Sequence, residues 1–274
     1  MERRKHIKNL RHLTLHLGTI MMGILILLAI AAPYICRYDP MAQDLYATLK
    51  KPMTEGHLLG TDQLGRDILS RILYAARTDL SVMAAAEVFP FFAGTFIGMA
   101  AGYFGGRADT VISLITDTFI AFPYYLLVIV VAFMTGAGIH GIIVTFMIVG
   151  WLVYARVAKA LAASFRNTEW VEAARLLGYS DLRIIAFEIF PNVLPQVVVV
   201  LMTDMAALLV SIVTLGYLGI GISPPTPDWG SMISEGQSLI NTAPYLSLIP
   251  GFMVVYTGIA LSLIGDGLAD RWRR

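Results

Sequence analysis

An all-α membrane protein that crosses the bilayer six times is the fold class predicted by the sequence. Three observations carry it: an apolar composition, six apolar stretches of spanning length, and a one-sided distribution of basic residues. Of 274 residues, 57% are hydrophobic and 14% charged, and mean hydropathy is +0.70. A chain of that composition cannot cover a soluble surface with polar side chains. The net charge of +1 offers no basic footprint for nucleic acid, and Cys36, the single cysteine, excludes an internal disulfide.

A bilayer core of about 30 Å takes about 20 apolar residues as a helix, because every backbone polar group must be satisfied within the segment. Six stretches meet this, running roughly from Leu13 to Cys36, Leu80 to Gly102, Thr110 to Thr135, Ile139 to Ala163, Val193 to Ile222 and Leu246 to Gly265. The first follows the basic run "RRKHIKNLR". Its apolar length exceeds that of a secretory signal and "APYICRYDP" offers no small-x-small cleavage site, so it is read as a retained helix. Pro90 and Pro123 fall inside the second and third spans, where neighbouring helices can satisfy the freed carbonyls.

Orientation follows from the basic residues. With the N-terminus inside, cytoplasmic segments hold Arg3, Arg4, Lys5, Lys8 and Arg11, then Arg107, then Arg156, Lys159, Arg166, Arg175 and Arg183, then Arg271, Arg273 and Arg274, which is 14 of the 20. The other six, Arg37, Lys50, Lys51, Arg66, Arg71 and Arg77, all lie in the first outer segment, and the other outer loops have none. Both termini are therefore expected in the cytoplasm.

One cytoplasmic segment is charged yet helical in pattern: "EWVEAARLLGYSDLRIIAFEIFPN", Glu169 to Asn192. Asn167 and Thr168 can cap a first helix, Glu169 and Glu172 complement its N-terminal dipole, and Trp170, Ala174 and Leu177 recur on one face. Gly178 ends it. Ser180 or Asp181 starts a second helix with an apolar stripe of Leu182, Ile185 and Ile189, and Pro191 and Pro195 suit the start of the fifth span. Small Ala173, Ala174 and Gly178 allow another surface to approach closely. Residue chemistry leaves two readings open, a docking handle or an amphipathic helix on the lipid headgroups.

The residues Glu172-Ala173-Ala174, Gly178, Ile189 and Pro191, placed before the penultimate span, resemble the EAA loop of permease subunits in binding-protein-dependent ABC importers. The resemblance implies that this loop is a coupling helix docking on a cytoplasmic ATPase, with Glu172, Ala173, Ala174 and Gly178 as its coupling residues. "HLLGTDQLGRDILSRILYAARTDLS" (57–81) and "GYLGIGISPPTPDWGSMISEG" (216–236) are similar to the dipeptide, oligopeptide and nickel group of these permeases, in the branch of the second, C-type permease. The type I ABC importer permease fold is then expected. Residues 1–78 would hold the cytoplasmic N-terminus, first span and extracytoplasmic segment, and 79–274 the five-span permease core with its coupling loop at 165–191. The implied partners are a homologous second permease subunit, two ABC ATPase subunits, an extracytoplasmic solute-binding protein and the lipid bilayer of the bacterial inner (plasma) membrane. No nucleotide cradle of the G-x4-G-K-[ST] kind occurs, so this chain is expected to be a transport subunit and not an enzyme, with no cofactor of its own and with ATP and Mg on the ATPase subunits.

The two flanking motifs also read physically. Leu64, Ile68, Leu69, Ile72, Leu73 and Ala76 form one face of a helix with Asp67 and Arg71 as an i,i+4 pair opposite, expected as an interfacial helix outside the membrane. Pro224, Pro225 and Pro227 stiffen the exit from span five, and Trp229 suits the membrane-water boundary, as an anchor or as part of the substrate mouth.

Specificity has few markers. Charges inside spans flag function, and there are three, Glu87, Asp117 and Asp204. Asp204 is about eleven residues into span five, roughly 16 Å deep, and either lines the substrate path or pairs with a polar group on a neighbouring helix. The resemblance implies that nickel-type permeases carry an acid here, whereas Ile212 replaces the group's more usual acid, which tilts the substrate toward nickel or a metal chelate over a small peptide. Glu188 stands where peptide-type members commonly have histidine. His6, His12, His16, His57 and His140 show no metal-ligand spacing. An ATP-independent secondary transporter or channel would call for an inverted repeat or dense intramembrane charge, and an intramembrane enzyme for a nucleophile and base at depth; the sequence shows neither.

Overall fold

The computed structural model describes residues 2–272, with side chains described from Leu13 onward. The side chains of Arg3, Arg4, Lys5, His6, Lys8, Arg11 and His12, and residues Arg273 and Arg274, lie outside the described residues. Helices account for every named element: α1 (Glu2–Ile35), α2 (Ile68–Phe104), α3 (Gly106–Ile120), α4 (Tyr124–Thr135), α5 (Ile139–Val149), α6 (Trp151–Phe165), α7 (Glu169–Leu176), α8 (Asp181–Arg183), α9 (Phe190–Tyr217), α10 (Trp229–Gln237) and α11 (Tyr245–Trp272), with a 3-10 turn at Leu45–Ala47 and a π turn at Ile184–Ile189. Five stretches are long and apolar enough to cross a bilayer, Leu13–Ile35, Ile68–Phe104, Ile139–Phe165, Asp181–Tyr217 and Tyr245–Trp272, and α3 with α4 supplies a sixth that is bent by 93°.

The bend breaks the expected third span, Thr110 to Thr135, into two helices at Pro123. Pro123 is the N-cap of α4 with φ −58° and ψ 122°. Proline has no N–H to continue a ladder and disfavours helical backbone in the residue before it, so α3 ends there and α4 departs in a new direction. Pro90, by contrast, stays inside the continuous α2. Its ring sits against Gly150 at the α5/α6 junction, where a Cβ would come within 3.1 Å of the proline Cγ.

A second correction concerns the expected interfacial helix. Leu64 lies in a turn, and the helix begins at Ile68 and runs straight on as the second span. Its 37 residues make about 55 Å at about 1.5 Å each, well beyond an apolar core of about 30 Å. The expected Asp67–Arg71 pair does not form. Asp67 instead caps α2, accepting from Ser70 N at 2.8 Å, and pairs with His57 Nδ1 at 2.9 Å. Arg71 turns to Asp62 at 2.5 Å and to Glu235 of α10 at 2.7 Å, and Arg66 bonds the same two carboxylates. These buried pairs fold the 37–67 segment down onto α2 and α10.

Close helix packing is set by small residues. Gly94, Gly98 and Gly102 of α2 lie against α6, where a Cβ on each would fall 2.2 to 2.3 Å from the carbonyl oxygens of Trp151, Ala155 and Lys159. Both sets repeat every four residues, so one glycine stripe meets one backbone stripe, the small-residue packing of helices in lipid. Likewise Gly18 of α1 meets the Ala260 carbonyl of α11, and Gly267 of α11 meets Leu15. Apolar contacts then form two cores. One surrounds Ile72, Met83, Leu209, Ile212 and Trp229, and the other surrounds Met99, Tyr154, Val171, Ile184 and Ile189. Leu27 and Ile30 of α1 are left largely exposed for lipid.

Candidate coupling surface and substrate path

The segment from Glu169 to Asn192 is two helices joined by a turn, as the sequence predicts. Thr168 has the extended backbone of an N-cap, but its hydroxyl donates back to the Phe165 carbonyl at 2.6 Å and does not cap. Glu169 and Glu172 occupy the first turn of α7, where the exposed N–H groups favour negative charge. The helix closes as a Schellman motif: Gly178 N donates to Arg175 O and Tyr179 N to Ala174 O, with Gly178 at φ +80°.

Exposure divides the predicted coupling residues. Glu172, Ala173 and Gly178 face outward, and a Cβ on Gly178 would meet nothing within 4 Å. Ala174 faces inward beside Val171. The expected apolar face of Trp170, Ala174 and Leu177 is therefore corrected to Val171 and Ala174, because Leu177 is 73% exposed. On the second helix Leu182 is also exposed, and the buried set is Ile184, Ile185 and Ile189. Leu176 and Leu177 are bare, and beyond the turn a groove of about 640 Å³ is lined by Tyr179, Leu182, Arg183, Ala186, Phe187 and Glu188.

A residue without a sequence signal fastens this surface to the bundle. Tyr103, near the end of α2, donates its hydroxyl to Asp181 at 2.7 Å and accepts from Arg175 Nε at 3.2 Å, and the Arg175 guanidinium lies 5.0 Å from its ring centre. The segment then enters the membrane without a break, since the π turn Ile184–Ile189 leads directly into α9. Phe190 N bonds Ile185 O, five residues back. That widened turn sits just before Pro191, which has no N–H to give to the residue four back.

Within the bundle, the Tyr154 hydroxyl of α6 donates to Glu87 Oε1 of α2, and Asp204 of α9 is their electrostatic neighbour. Glu87 and Asp204 line a cavity of about 300 Å³ with Tyr124, Phe146, Leu152 and Arg156. The third intramembrane charge, Asp117 of α3, pairs with Arg156 of α6 at 2.8 Å, and Lys159 pairs with Asp109 at 2.8 Å. Arg156 and Lys159, both on α6, thus tie α3 to α6.

Trp229 is not a boundary anchor. It is fully buried, donating its backbone N–H to Asp79 Oδ2 at 3.0 Å and its indole N–H to the Ile72 carbonyl at 3.3 Å. His57 is likewise buried and stacks on Tyr38. Among the described residues no group of three or more His, Cys, Asp or Glu is placed to hold a metal ion.

Comparison with known proteins agrees with this arrangement. A putative peptide transport system permease protein of Brucella abortus is 36% identical over 261 residues, covering 95% of this chain and 88% of the relative. The nickel transport system permease protein NikC of Escherichia coli K12 is 33% identical over 257 residues, covering 94% and 92%. The dipeptide transport system permease protein DppC of Haemophilus influenzae is 34% identical over 259 residues, covering 93% and 88%. A solved chain of the MetNI methionine ABC transporter, inward facing, superposes with a TM-score of 0.61 at 17% identity over 73% of this chain and 95% of its own, a likeness of fold. The model of the binding-protein-dependent transport system inner membrane component matches residues 94–274, which hold the glycine stripe, the EAA segment and Asp204, and the chain belongs to that family.

Proposed function

We propose that this chain is the transmembrane permease subunit of an ATP-driven, binding-protein-dependent importer, forming half of a path for nickel, a metal chelate or a small peptide. The observation that carries the reading is the outward-facing surface of Glu172, Ala173, Gly178, Leu176 and Leu177, fastened by Tyr103 to α2 and continuous through the π turn with α9. A partner that moves this surface moves two spanning helices with it, a rigid-body exchange between inward-open and outward-open states. The partner is an ABC ATPase, one of two, which hold the ATP and Mg. A homologous second permease subunit completes the path, and an extracytoplasmic solute-binding protein delivers the solute. The chain lies in the bacterial inner membrane with both termini in the cytoplasm. Asp204, with Glu87, lines the path. The relatives' names include both peptide and nickel carriers, and the two acidic side chains on the cavity, Glu87 and Asp204, support a solute bearing a positive group.

Two substitutions test the coupling role. Glu172→Lys puts positive charge at the N-terminal end of a helix and reverses the charge of the docking face. Gly178→Val forces a β-branched residue to φ +80°, at about 1–2 kcal/mol, without crowding a neighbour. Uptake is expected to fall at least about tenfold in each while membrane insertion and ATP hydrolysis persist. Wild-type uptake in both variants would remove the role.

A further inference from the structure

Asp79 of α2 and Asp228, the N-cap of α10, are 0% and 1% exposed. Asp79 Oδ2 accepts the Trp229 N–H, and Asp228 Oδ1 accepts the Ser231 N–H at 2.9 Å. The amide held by Asp79 is therefore the one that joins Asp228 to Trp229, which sets the two carboxylates beside each other. Each keeps one buried oxygen without a partner, Asp79 Oδ1 and Asp228 Oδ2.

No cation answers them among the described residues. Arg66 and Arg71 are bonded to Asp62 and Glu235. Other titratable groups on these elements are turned elsewhere: Glu235 of α10 to those arginines, Tyr217 of α9 to Gln237, Tyr245 of α11 to the Lys50 carbonyl, and Glu87, further along α2, to Tyr154, while Arg77 of α2 is exposed. Tyr74 of α2 bonds neither aspartate. Two adjacent buried anions without a counter-ion repel each other and forfeit their hydration. A single proton on the pair removes the repulsion.

We propose that Asp79 and Asp228 form a proton-binding site, the pair retaining one proton that lets α10 seat on α2. Burial, the largest influence on Asp228, pushes its carboxyl above the ordinary carboxylate range, in accord with the geometry. The sign follows from linkage: a carboxyl that keeps its proton in the fold adds stability that is full below its unfolded value and is lost as pH rises through the raised folded value.

Asparagine copies a protonated aspartic acid, its amide oxygen accepting where the carbonyl accepts and its NH₂ donating where the O–H donates. The full-length chain in detergent is unfolded by heat between about pH 5 and about pH 9. The wild-type midpoint is expected to fall as pH rises, and in Asp79→Asn this fall is lost, so the variant lies several degrees above wild type at the alkaline end and level with it at the acid end. Asp228→Asn, which can still cap α10, is expected to flatten the profile in the same way. The infrared carbonyl band of a protonated carboxyl at neutral pH should weaken in Asp79→Asn. Destabilisation of both variants at every pH, or profiles parallel to wild type, would overturn the proposal. A midpoint raised by added Na⁺ or Ca²⁺ in wild type and not in Asp79→Asn would also overturn it, in favour of a metal cation.

Discussion

Asp204 lies beside Glu87 and Tyr154 and lines a cavity, so its carboxyl can serve packing or transport. Asp204→Asn separates the two roles, because the amide keeps its size and hydrogen-bonding capacity while removing this carboxyl's charge. Uptake of the solute is expected to drop at least about tenfold, with thermal stability, assembly and basal ATP hydrolysis near wild type, read by transport assay beside a melting curve. A variant that assembles poorly makes the residue structural, and unchanged uptake removes the charge from transport. Single residues were legible in the sequence where they broke a pattern. Asp204 and Glu87 stand out as charges in apolar spans. Tyr154 and Tyr103 do not, since an aromatic in an apolar helix is ordinary core until its hydroxyl is seen to have a partner. Asp79 and Trp229 were hidden for a related reason, because charge and indole at a helix end suit an exposed interface as well as a buried contact.

At the scale of elements, hydropathy located the spans, for a spanning helix must be apolar over its whole length. It could not show that α2 absorbs the expected outer helix, because Ile68, Ile72 and Ala76 give the same stripe against a membrane surface as against α10. Pro90 and Pro123 look alike in sequence, yet Pro90 stays within α2 with its ring against Gly150, whereas Pro123 caps α4. The glycine stripe of α2 carries its own prediction. In Gly98→Leu the Cβ alone would lie 2.3 Å from the Ala155 carbonyl oxygen, so α2 and α6 must separate. Overpacking of this kind costs about 1–3 kcal/mol even where side chains can yield, and here backbone opposes backbone. Yield and melting temperature in detergent should collapse. Gly258→Leu on α11, where a Cβ meets nothing within 4 Å, is the matched control and should remain near wild type; equal behaviour of the two variants would remove the close-packing account.

At the scale of the whole molecule, sidedness joins the coupling surface to the path. A chain with an even number of crossings has both ends on one face, and the bent α3–α4 pair must count as one crossing for this to hold. Charge supports that face being the cytoplasm. Of the six basic residues assigned outside, Arg66 and Arg71 are neutralised by Asp62 and Glu235, so the free positive charge of that segment is smaller than its count. Arg175 and Arg183 are exposed on the segment between α6 and α9, and basic residues so placed favour the cytoplasmic side. Reporters fused after Arg274, or inserted within Tyr179 to Arg183, should therefore read as cytoplasmic. A reporter between Ser223 and Trp229 should read as outside, and it is best placed at the exposed Ser223 to Pro225 because Trp229 is buried. Should the site at Ser223 instead label from the cytoplasm while Tyr179 also does, α9 would not cross, and the continuous path from the coupling surface through the π turn to Asp204 would have no membrane to span.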